Sequence, residues 1–386
     1  MKRILIALIA MAFVLSSCGG VTPIPPTATP SIPAPATVTV TSTPEARTDC
    51  ASRYPSNPAE RKNWPKEEWT ISTLEEHCMD RAIVEKGVWY LEEAHNFSSL
   101  VIIRHGELVY EKYFTRFLTY ERRVQVYSVT KSFFSALVGI AMDQGLLDSL
   151  DHKVIEYFPE YFYSTTDPRM KEVTLRDLLT MSAGFHWVND METQNLWMRS
   201  GNMVEASINW KMRDAPGTVF NYSNANAELL SAILTKIVGE PLRAYAQRNL
   251  FSPMGIPNKN WGWGMDDQGY YYGASGLTLR PRDIARFGYL YSNQGYWDGK
   301  QVISREWVQQ STTKQIDAYL MDYGYLWWVG HGTDPSSFEA RGSRGQCLLI
   351  VPGLDLVVAV NGDGDEDADP SSILYGWIVN AVTDEQ

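Results

Sequence analysis

Two pairs of β-rich runs, one near each end of the chain, constrain the fold more than any other feature. Early on, "SLVIIRHGELVYEKYF" predicts a hairpin with strands at Leu100–Arg104 and Leu108–Phe114 around a turn at His105-Gly106. Near the other end, "GQCLLIVPGLDLVVAVNGD" predicts two strands around a Pro-Gly turn. Helical patterns fill most of the chain between them. This order predicts an α+β fold whose sheet is built from both chain ends, with an inserted, mainly helical domain.

Helix start and stop signals give approximate bounds for the helices in between. The stretch "VYSVTKSFFSALVGIAMDQG" predicts an apolar helix that ends at Gly145, where a left-handed cap is expected. A short helix enters through Thr174, with Asp177 at the capping-box position. Three more helical patterns are "ANAELLSAILTKIVG", a segment from about Pro281 to Tyr291, and the final "SSILYGWIVNAVT".

Composition narrows the class of protein. The 386 residues are 44% hydrophobic and 20% charged, which is typical of a folded globular chain. The 34 basic residues are outnumbered by 45 acidic ones, and the net charge is −11. A nucleic-acid partner needs a basic face for the phosphates, so this balance argues against one.

The N-terminus has the pattern of an export signal. Lys2 and Arg3 precede an apolar run that is too short to span a bilayer. The run ends in Leu15-Ser16-Ser17-Cys18, which resembles the bacterial lipobox. We therefore expect residues 1–18 to be a lipoprotein signal peptide with its lipobox and Cys18 to carry the lipid, which would anchor the exported protein to the outer face of the bacterial cell membrane. The alternative is an ordinary secretory signal with a chance cysteine.

The segments that follow predict a tether and then a folded domain. Residues 19–48 are rich in Pro and Thr and predict a disordered, semi-stiff linker. Residues 49–98 form an N-terminal lead-in, and 99–384 form the main folded domain.

The cysteines and histidines carry little evidence for a metal site. Cys50 and Cys78 flank the start of the folded part and could pair in an oxidising envelope, whereas Cys347 lies in an apolar run that favours a free, buried thiol. No C-x-x-C pair occurs, and the six histidines are scattered without metal-ligand spacing. We expect no metal.

Ser128 and Lys131 are the first candidates for chemistry. They lie one helical turn apart, so their side chains share a face and can approach each other. A lysine among so many apolar residues is costly unless it is paired or neutral, and burial favours the neutral, basic form. We predict that Ser128 is a nucleophile and Lys131 its base; the alternative is a capping serine with an exposed lysine.

Two further stretches support that hypothesis. Tyr222-Ser223-Asn224 precedes a predicted helix, where a tyrosine can relay a proton into a cleft; alternatively, Asn224 only caps the helix. The stretch "FEARGSRGQ" has glycines that let the backbone pass close to a substrate; alternatively, it is a flexible hairpin turn. The competing Ser-His-Asp arrangement of an α/β-hydrolase is disfavoured, because its G-x-S-x-G motif occurs nowhere in the chain.

Taken together, these motifs resemble those of the β-lactamase-related serine hydrolases. This family includes class C β-lactamases, D-alanyl carboxypeptidases, esterases and 6-aminohexanoate-dimer hydrolases. The resemblance covers about Ser99 to Thr383 and is carried by "YSVTKSF", "VTLRDLLTMSAGF", "PGTVFNYSNANAELL", "YGYLWWV" and "GQCLLIVPGLDLVVAV", with the amide-hydrolase and esterase side nearest. It implies a β-lactamase/transpeptidase-like fold with an antiparallel sheet flanked by helices.

The resemblance also implies a mechanism without a cofactor. Ser128 would form an acyl-enzyme with a small-molecule ester or amide, and Lys131 and Tyr222 would act as general base and acid. Asn224 would orient Lys131 or the acyl side chain. The backbone N–H groups of Ser128 and Ser343 would stabilise the oxyanion.

One departure from the family pattern affects the expected substrate. The third motif is usually Lys-Thr-Gly or His-Thr-Gly, and here the stretch is Ala340-Arg341-Gly342. Arg341 can supply the charge of that motif but not its hydroxyl, which lowers the expectation of efficient β-lactam hydrolysis. Trp187 is expected to line the acyl pocket, although an aromatic there could equally belong to the core.

Three functions therefore remain open at this point. The leading one is a membrane-tethered hydrolase of esters or amides. The others are a β-lactamase or D-alanyl carboxypeptidase, and a non-catalytic binding or sensor lipoprotein on the same fold. The motifs favour the enzyme, since a binding protein would not need Lys131 or Tyr222.

Overall fold

The strands come from both ends of the chain, as the sequence predicts. The structure is a computed structural model that describes residues 54–65, 67–319, 321–331, 334–364 and 368–383. Within these ranges the strands are β1 (Phe97–Arg104), β2 (Glu107–Tyr113), β3 (Val124–Gln125), β4 (Gly262–Trp263), β5 (Leu277–Leu279), β6 (Tyr296–Trp297), β7 (Lys300–Gln301), β8 (Ile316–Asp317), β9 (Asp322–Tyr323), β10 (Trp328–His331), β11 (Asp334–Gly342), β12 (Gln346–Val351) and β13 (Leu356–Gly362).

Eight of these strands form the central antiparallel sheet, in the order β2-β1-β13-β12-β11-β10-β9-β8. The N-terminal hairpin therefore pairs with the last strand of the chain, Val101 opposite Ala359. This pairing confirms the predicted sheet built from both chain ends.

Both faces of the sheet are buried, because successive side chains along a strand point to opposite faces. In β1, Val101 and Ile103 join the larger apolar cluster, whereas Leu100 and Ile102 join a second cluster on the other face. A strand buried on both faces reads as a continuous apolar run, which is the pattern of "LVII" and "LLIV".

Helices cover both faces. They are α1 (Arg81–Glu93), α2 (Thr130–Asp143), α3 (Val154–Tyr157), α4 (Leu175–Leu179), α5 (Met191–Met198), α6 (Met203–Ile208), α7 (Asn224–Val238), α8 (Leu242–Ala246), α9 (Pro281–Ser292), α10 (Arg305–Ser311) and α11 (Ser371–Ile373), the last of which continues as helical turns to Ala381. Helix α1 and the C-terminal turns pack on the face of the second cluster, and α2 and α9 lie with the larger cluster.

Local signals set several helix ends where they are predicted. Thr174 and Asp177 form the expected capping box, with the Thr174 N–H donating to Asp177 Oδ2 over 2.9 Å. Helix α7 ends at Gly239, whose φ of +68° is the left-handed cap that glycine adopts without strain. Gly145 follows α2 with the same sign of φ, +68°.

The start of α2 excludes the alternative in which Ser128 is only a capping residue. Ser128 does not cap α2, which begins at Thr130; it lies in a 3₁₀ turn, Tyr127–Val129. Its hydroxyl is therefore free of capping and accepts a hydrogen bond from Lys131 instead.

The lead-in segment packs against the end of the sheet that is formed by Arg104, Val351 and Leu356. Tyr54 stacks on His105, with ring centroids 4.2 Å apart. Arg61 pairs with Asp355 at 2.7 Å and also donates to the hydroxyl of Tyr289. The opposite end of the sheet carries Gly342, paired with Gln346. A strand of six or seven residues separates the two ends by roughly 20 Å.

The two described cysteines differ in state. Cys78 is disulfide-bonded, and Cys347 is free and buried, as its apolar surroundings predict. Cys50, Cys18 and the predicted linker lie outside the described residues. Among the helices that the structure describes, none combines the length and apolarity that a membrane crossing requires.

Candidate active site

Ser128 is presented by a strained turn between β3 and α2. Tyr127, directly before it, has a φ of +45°, in the left-handed region that non-glycine residues rarely occupy. The turn is held by the Thr130 hydroxyl, which donates to the carbonyl of Tyr127 over 2.6 Å, and by the Val126 N–H, which donates to the carbonyl of Leu277 over 3.0 Å. Strain of this kind persists where surrounding contacts over-determine it, which is common at functional sites.

Lys131 is buried, with 2% of its surface exposed, and its amine meets three oxygen atoms. Its Nζ donates to Ser128 Oγ at 2.9 Å, to Asn224 Oδ1 at 2.8 Å and to the backbone carbonyl of Ala274 at 2.9 Å. The last two oxygens can only accept hydrogen bonds. A neutral amine therefore gives its two N–H groups to Asn224 and Ala274 and turns its lone pair toward the hydroxyl of Ser128.

The Tyr-Ser-Asn stretch reaches the same amine from the start of α7. Ser223 caps this helix by accepting the N–H of Ala225 over 3.1 Å, so Asn224 is not the cap and its amide faces Lys131. The ring centroid of Tyr222 lies 4.9 Å from Lys131 Nζ. Trp328 stacks on that ring, with centroids 5.8 Å apart.

The end of β11 runs beside the turn Tyr127–Val129, which holds Ser128 and which we name the nucleophile turn after the role predicted for that serine. A Cβ built on Gly342 would lie 2.7 Å from the carbonyl oxygen of Val126 and 3.0 Å from the backbone nitrogen of Ser128. Only glycine allows this approach. It brings the next residue, Ser343, to the wall of the same cavity as Ser128.

Arg341 lines that cavity, but its guanidinium is held by acidic and hydroxyl groups. Its Nε lies 2.7 Å from Glu339 Oε2 and its Nη1 lies 3.2 Å from Asp369 Oδ2. A third bond runs from Nη2 to the hydroxyl of Ser371. The expected cation of the third motif is thus largely neutralised within the protein, which leaves little of it for a substrate anion.

A cavity of about 570 Å³ joins these groups. Ser128, Tyr222, Asn224, Arg341, Gly342 and Ser343, all predicted from the sequence, are among the residues that line it. Its volume suits a small molecule.

Trp187 does not line this cavity, so its prediction as a pocket residue is corrected. Its side chain is 3% exposed and belongs to the apolar core. The indole packs edge-on against Trp197 and tilted against Trp210. The helical insert needs large side chains to fill its core, and an aromatic next to a motif cannot be told from such a residue by sequence.

Sequence reasoning missed two groups around Lys131. One is the carbonyl of Ala274, a backbone atom far along the chain. The other is Glu228, a buried acid one turn after Asn224 on α7. Burial raises the pKa of Glu228 to about 7, while hydrogen bonds from the N–H groups of Gly273 and Ala274 and the charge of Lys131 act to lower it. Its signal was visible: an acid at i+4 from a motif residue, on the apolar face of a helix.

Metal ligands are not clustered in the part of the chain that the structure describes. No group of three or more His, Cys, Asp or Glu side chains is placed there to hold an ion.

The fold and site together define a class of protein. An antiparallel sheet covered by helices, with a serine and a buried lysine one turn apart beside the end of a sheet strand, is the arrangement of the active-site-serine proteins of the β-lactamase/transpeptidase fold. Solved structures agree with this fold. A hydrolase with promiscuous acyltransferase activity, EstCE1, has a TM-score of 0.65 at 16% identity and covers 78% of this chain and 98% of its own. A class C β-lactamase has a TM-score of 0.61 at 18% identity, covering 78% and 95%.

Sequence comparison gives the family. The model of the Beta-lactamase family matches residues 90–378, and the chain belongs to this family of serine hydrolases. Among relatives, the 6-aminohexanoate-dimer hydrolase of Paenarthrobacter ureafaciens is 24% identical over 285 residues, which are 67% of this chain and 71% of the relative.

Proposed function

We propose that this protein hydrolyses an ester or amide bond in a small molecule through an acyl-enzyme on Ser128, with Lys131 as general base and Tyr222 as the proton relay. The observation that carries the proposal is the environment of Lys131. Two carbonyl-type oxygens take the N–H groups of its neutral amine, and the third neighbour at hydrogen-bond distance is the hydroxyl of Ser128.

Acylation follows from this geometry. The lone pair of Lys131 takes the proton of the Ser128 hydroxyl as Oγ bonds to the substrate carbonyl carbon, and the carbonyl π electrons move onto the oxygen. The tetrahedral intermediate then collapses, and the bond to the leaving group breaks. The proton passes from Lys131 to the leaving oxygen or nitrogen through the hydroxyl of Tyr222, which is regenerated in the same transfer.

Two backbone N–H groups would stabilise the oxyanion. Those of Ser128 and Ser343 are the proposed donors, since the approach of Gly342 brings the end of β11 beside the nucleophile turn.

Deacylation would use the same side chains as acylation. Water loses its proton to the pair formed by Lys131 and Tyr222, attacks the acyl carbon and releases the acid. Ser128 Oγ recovers a proton as it leaves.

The state of Arg341 favours neutral substrates over β-lactams. Its guanidinium already pairs with Glu339 and Asp369, and the hydroxyl of the usual third motif is missing. The name of the Paenarthrobacter relative, a hydrolase of a 6-aminohexanoate dimer, supports a linear amide as one candidate. We therefore expect p-nitrophenyl esters and linear amides to be turned over faster than a chromogenic cephalosporin.

Labelling of Ser128 tests the proposal. A fluorophosphonate should modify the wild-type protein at Ser128, as peptide mass mapping would show. Ser128→Ala should lose both the label and ester turnover because no other group replaces the nucleophile. The control is Ser200→Ala, on an exposed serine, which should keep both. Full ester turnover by a folded Ser128→Ala protein would contradict the mechanism, and a wild type that binds esters without cleaving them would favour the sensor lipoprotein.

We further propose that the enzyme is exported and tethered to the cell membrane through a lipid on Cys18. The lipobox-like sequence that ends in Cys18 and the Pro/Thr-rich segment after it support this proposal.

A further inference from the structure

Glu228 is a carboxylic acid in the wall behind the catalytic lysine. It lies one helical turn after Asn224 on α7 and is only 5% exposed. An acid at such a site costs free energy unless its oxygens are bonded. The acylation scheme above does not use it.

Both carboxylate oxygens bind the backbone of one short segment. Oε2 accepts the N–H of Gly273 over 3.0 Å, and Oε1 accepts the N–H of Ala274 over 3.2 Å. One turn further along α7, the hydroxyl of Ser231 donates to the carbonyl of Tyr271. Helix α7 thus holds the backbone of residues 271–274 by hydrogen bonds from two successive turns.

The same segment lies in close contact with the helix backbone. A Cβ built on Gly273 would collide with the carbonyl of Ala227, so the segment can lie this near only because residue 273 is glycine. Its position is therefore set by α7.

That position matters because the carbonyl of Ala274 accepts a hydrogen bond from Lys131 over 2.9 Å. Helix α7 consequently supplies one of the two oxygens that receive the N–H groups of the neutral amine and holds the residue that supplies the other. Asn224 offers its own side-chain oxygen, and Glu228 binds the N–H of Ala274, the residue whose carbonyl is the second acceptor.

Resting on the mechanism proposed above, we propose that Glu228 is a positioning residue for Lys131. By holding residues 273–274, it fixes the Ala274 carbonyl and so keeps the lone pair of the lysine directed at Ser128. The charge of its carboxylate also acts on the amine of Lys131, since the two groups lie close enough for the charge of Lys131 to favour ionisation of Glu228.

The electrostatic part rests on the groups that face Glu228. These are Lys131, whose charge favours the ionised carboxylate, Asp266, whose charge opposes it, and Tyr272, whose pKa is raised mainly by burial and partly by Glu228. Burial and these neighbours place the pKa of Glu228 at about 7. Its charge therefore changes within the range in which a hydrolase works, and this change alters the electrostatic field at the amine of Lys131.

Two substitutions at Glu228 separate the effect of its side-chain length from the effect of its charge. Glu228→Gln keeps the shape but removes the charge and sets an amide NH₂ against one of the two N–H donors. We expect kcat for a p-nitrophenyl ester to fall about 10-fold or more, the loss that mispositioning can cause, with KM within about twofold. The midpoint of the rise of kcat/KM with pH should move to lower pH, because a negative charge near Lys131 is gone. Glu228→Asp keeps the charge but is too short to reach both donors, so kcat should fall with the midpoint near its wild-type value.

Asp177→Asn is the control for general loss of stability. Asp177 is also a buried acid with a raised pKa, caused by burial, and it also accepts a backbone N–H, that of Thr174. This substitution should lower the thermal midpoint while kcat and the pH midpoint stay at wild-type values.

The outcomes distinguish this inference from the proposed function. Wild-type kcat and an unmoved pH midpoint in Glu228→Gln would overturn the role of Glu228 while Ser128→Ala remained inactive. If Glu228→Gln does not fold, Glu228→Asp tests the positioning role by itself. Full kcat in this variant would overturn that role, and a loss of kcat with the pH midpoint unchanged would support it. An active Ser128→Ala protein would instead overturn the mechanism on which the inference rests.

Discussion

At the scale of single residues, the environment of Lys131 explains how an amine can stay buried in an apolar helix. A buried ammonium without partners is costly, but here each N–H has an oxygen within 2.9 Å. In the proposed mechanism, the oxygens of Asn224 and Ala274 hold the neutral amine so that its lone pair points at the hydroxyl of Ser128. Sequence alone predicted the pairing with Ser128 because the two residues are one turn apart; it could not predict the carbonyl of Ala274, which is a backbone atom positioned by tertiary packing.

Lys131→Met tests the residue directly. Methionine keeps most of the apolar stem and removes the amine, so kcat/KM on a reactive ester should fall by about 10²–10⁴, the usual loss for a general base. The thermal midpoint should change little, since two carbonyl acceptors lose a donor while the cost of burying an amine disappears.

The control is Lys171→Met, on an exposed lysine, which should alter neither quantity. Near-normal activity of Lys131→Met would remove the main reason for this mechanism.

At the scale of elements, three pieces of chain converge on the site: the turn before α2, the start of α7 and the end of β11. The helices of the first two pieces were predicted from local patterns, although Ser223 and not Asn224 caps α7. The glycines of the third piece predicted a close approach of the backbone, but its strand was not predicted. The way in which these pieces pack together was not predictable from the sequence. The ion pairs that occupy Arg341 involve Glu339, two residues away on the same strand, and Asp369 beyond the next two strands. The burial of Trp187 depends in the same way on its contacts with Trp197 and Trp210.

Gly342→Ala tests the contact between β11 and the nucleophile turn. The added Cβ would lie 2.7 Å from the carbonyl oxygen of Val126, so the strand or the turn must shift. A shift of this kind at the reacting atoms can cost up to about 10²-fold in rate, and we expect kcat to fall by roughly 10–100-fold with the protein still folded.

Gly353→Ala is the matched control, since a Cβ there meets nothing within 4 Å and the turn before β13 is far along the sheet from Ser128. It should leave kcat unchanged. Equal rates for the two variants would show that the approach of Gly342 does not matter to the reaction.

At the scale of the whole molecule, the lead-in segment is part of the folded body. Arg61 pairs with Asp355 in the turn before β13 and donates to Tyr289 of α9. These contacts join residues that lie more than two hundred positions apart in the sequence. Residues 54–65 contain one 3₁₀ turn, Pro58–Glu60, and no longer helix or strand, so their docking could not be predicted from a periodic pattern.

Membrane attachment through Cys18 is the prediction at this scale. In a bacterial host, wild-type protein should sediment with membranes and partition into detergent, whereas Cys18→Ser should appear in the soluble fraction because no lipid can be added. Cys347→Ser is the control, since this thiol is buried and free, and it should stay with the membranes. A wild type that is already soluble would contradict the lipobox assignment.

The docking of the lead-in determines at which end of the sheet the described chain enters the folded domain. Tyr54 and Arg61 sit at the end of the sheet marked by His105 and Asp355, whereas Gly342 and the catalytic cavity belong to the opposite end. The described chain therefore enters the folded domain at the end of the sheet away from the cavity, whose lining begins at Gln125. Substitutions in residues 54–65 should for this reason alter stability without changing the wall of the cavity.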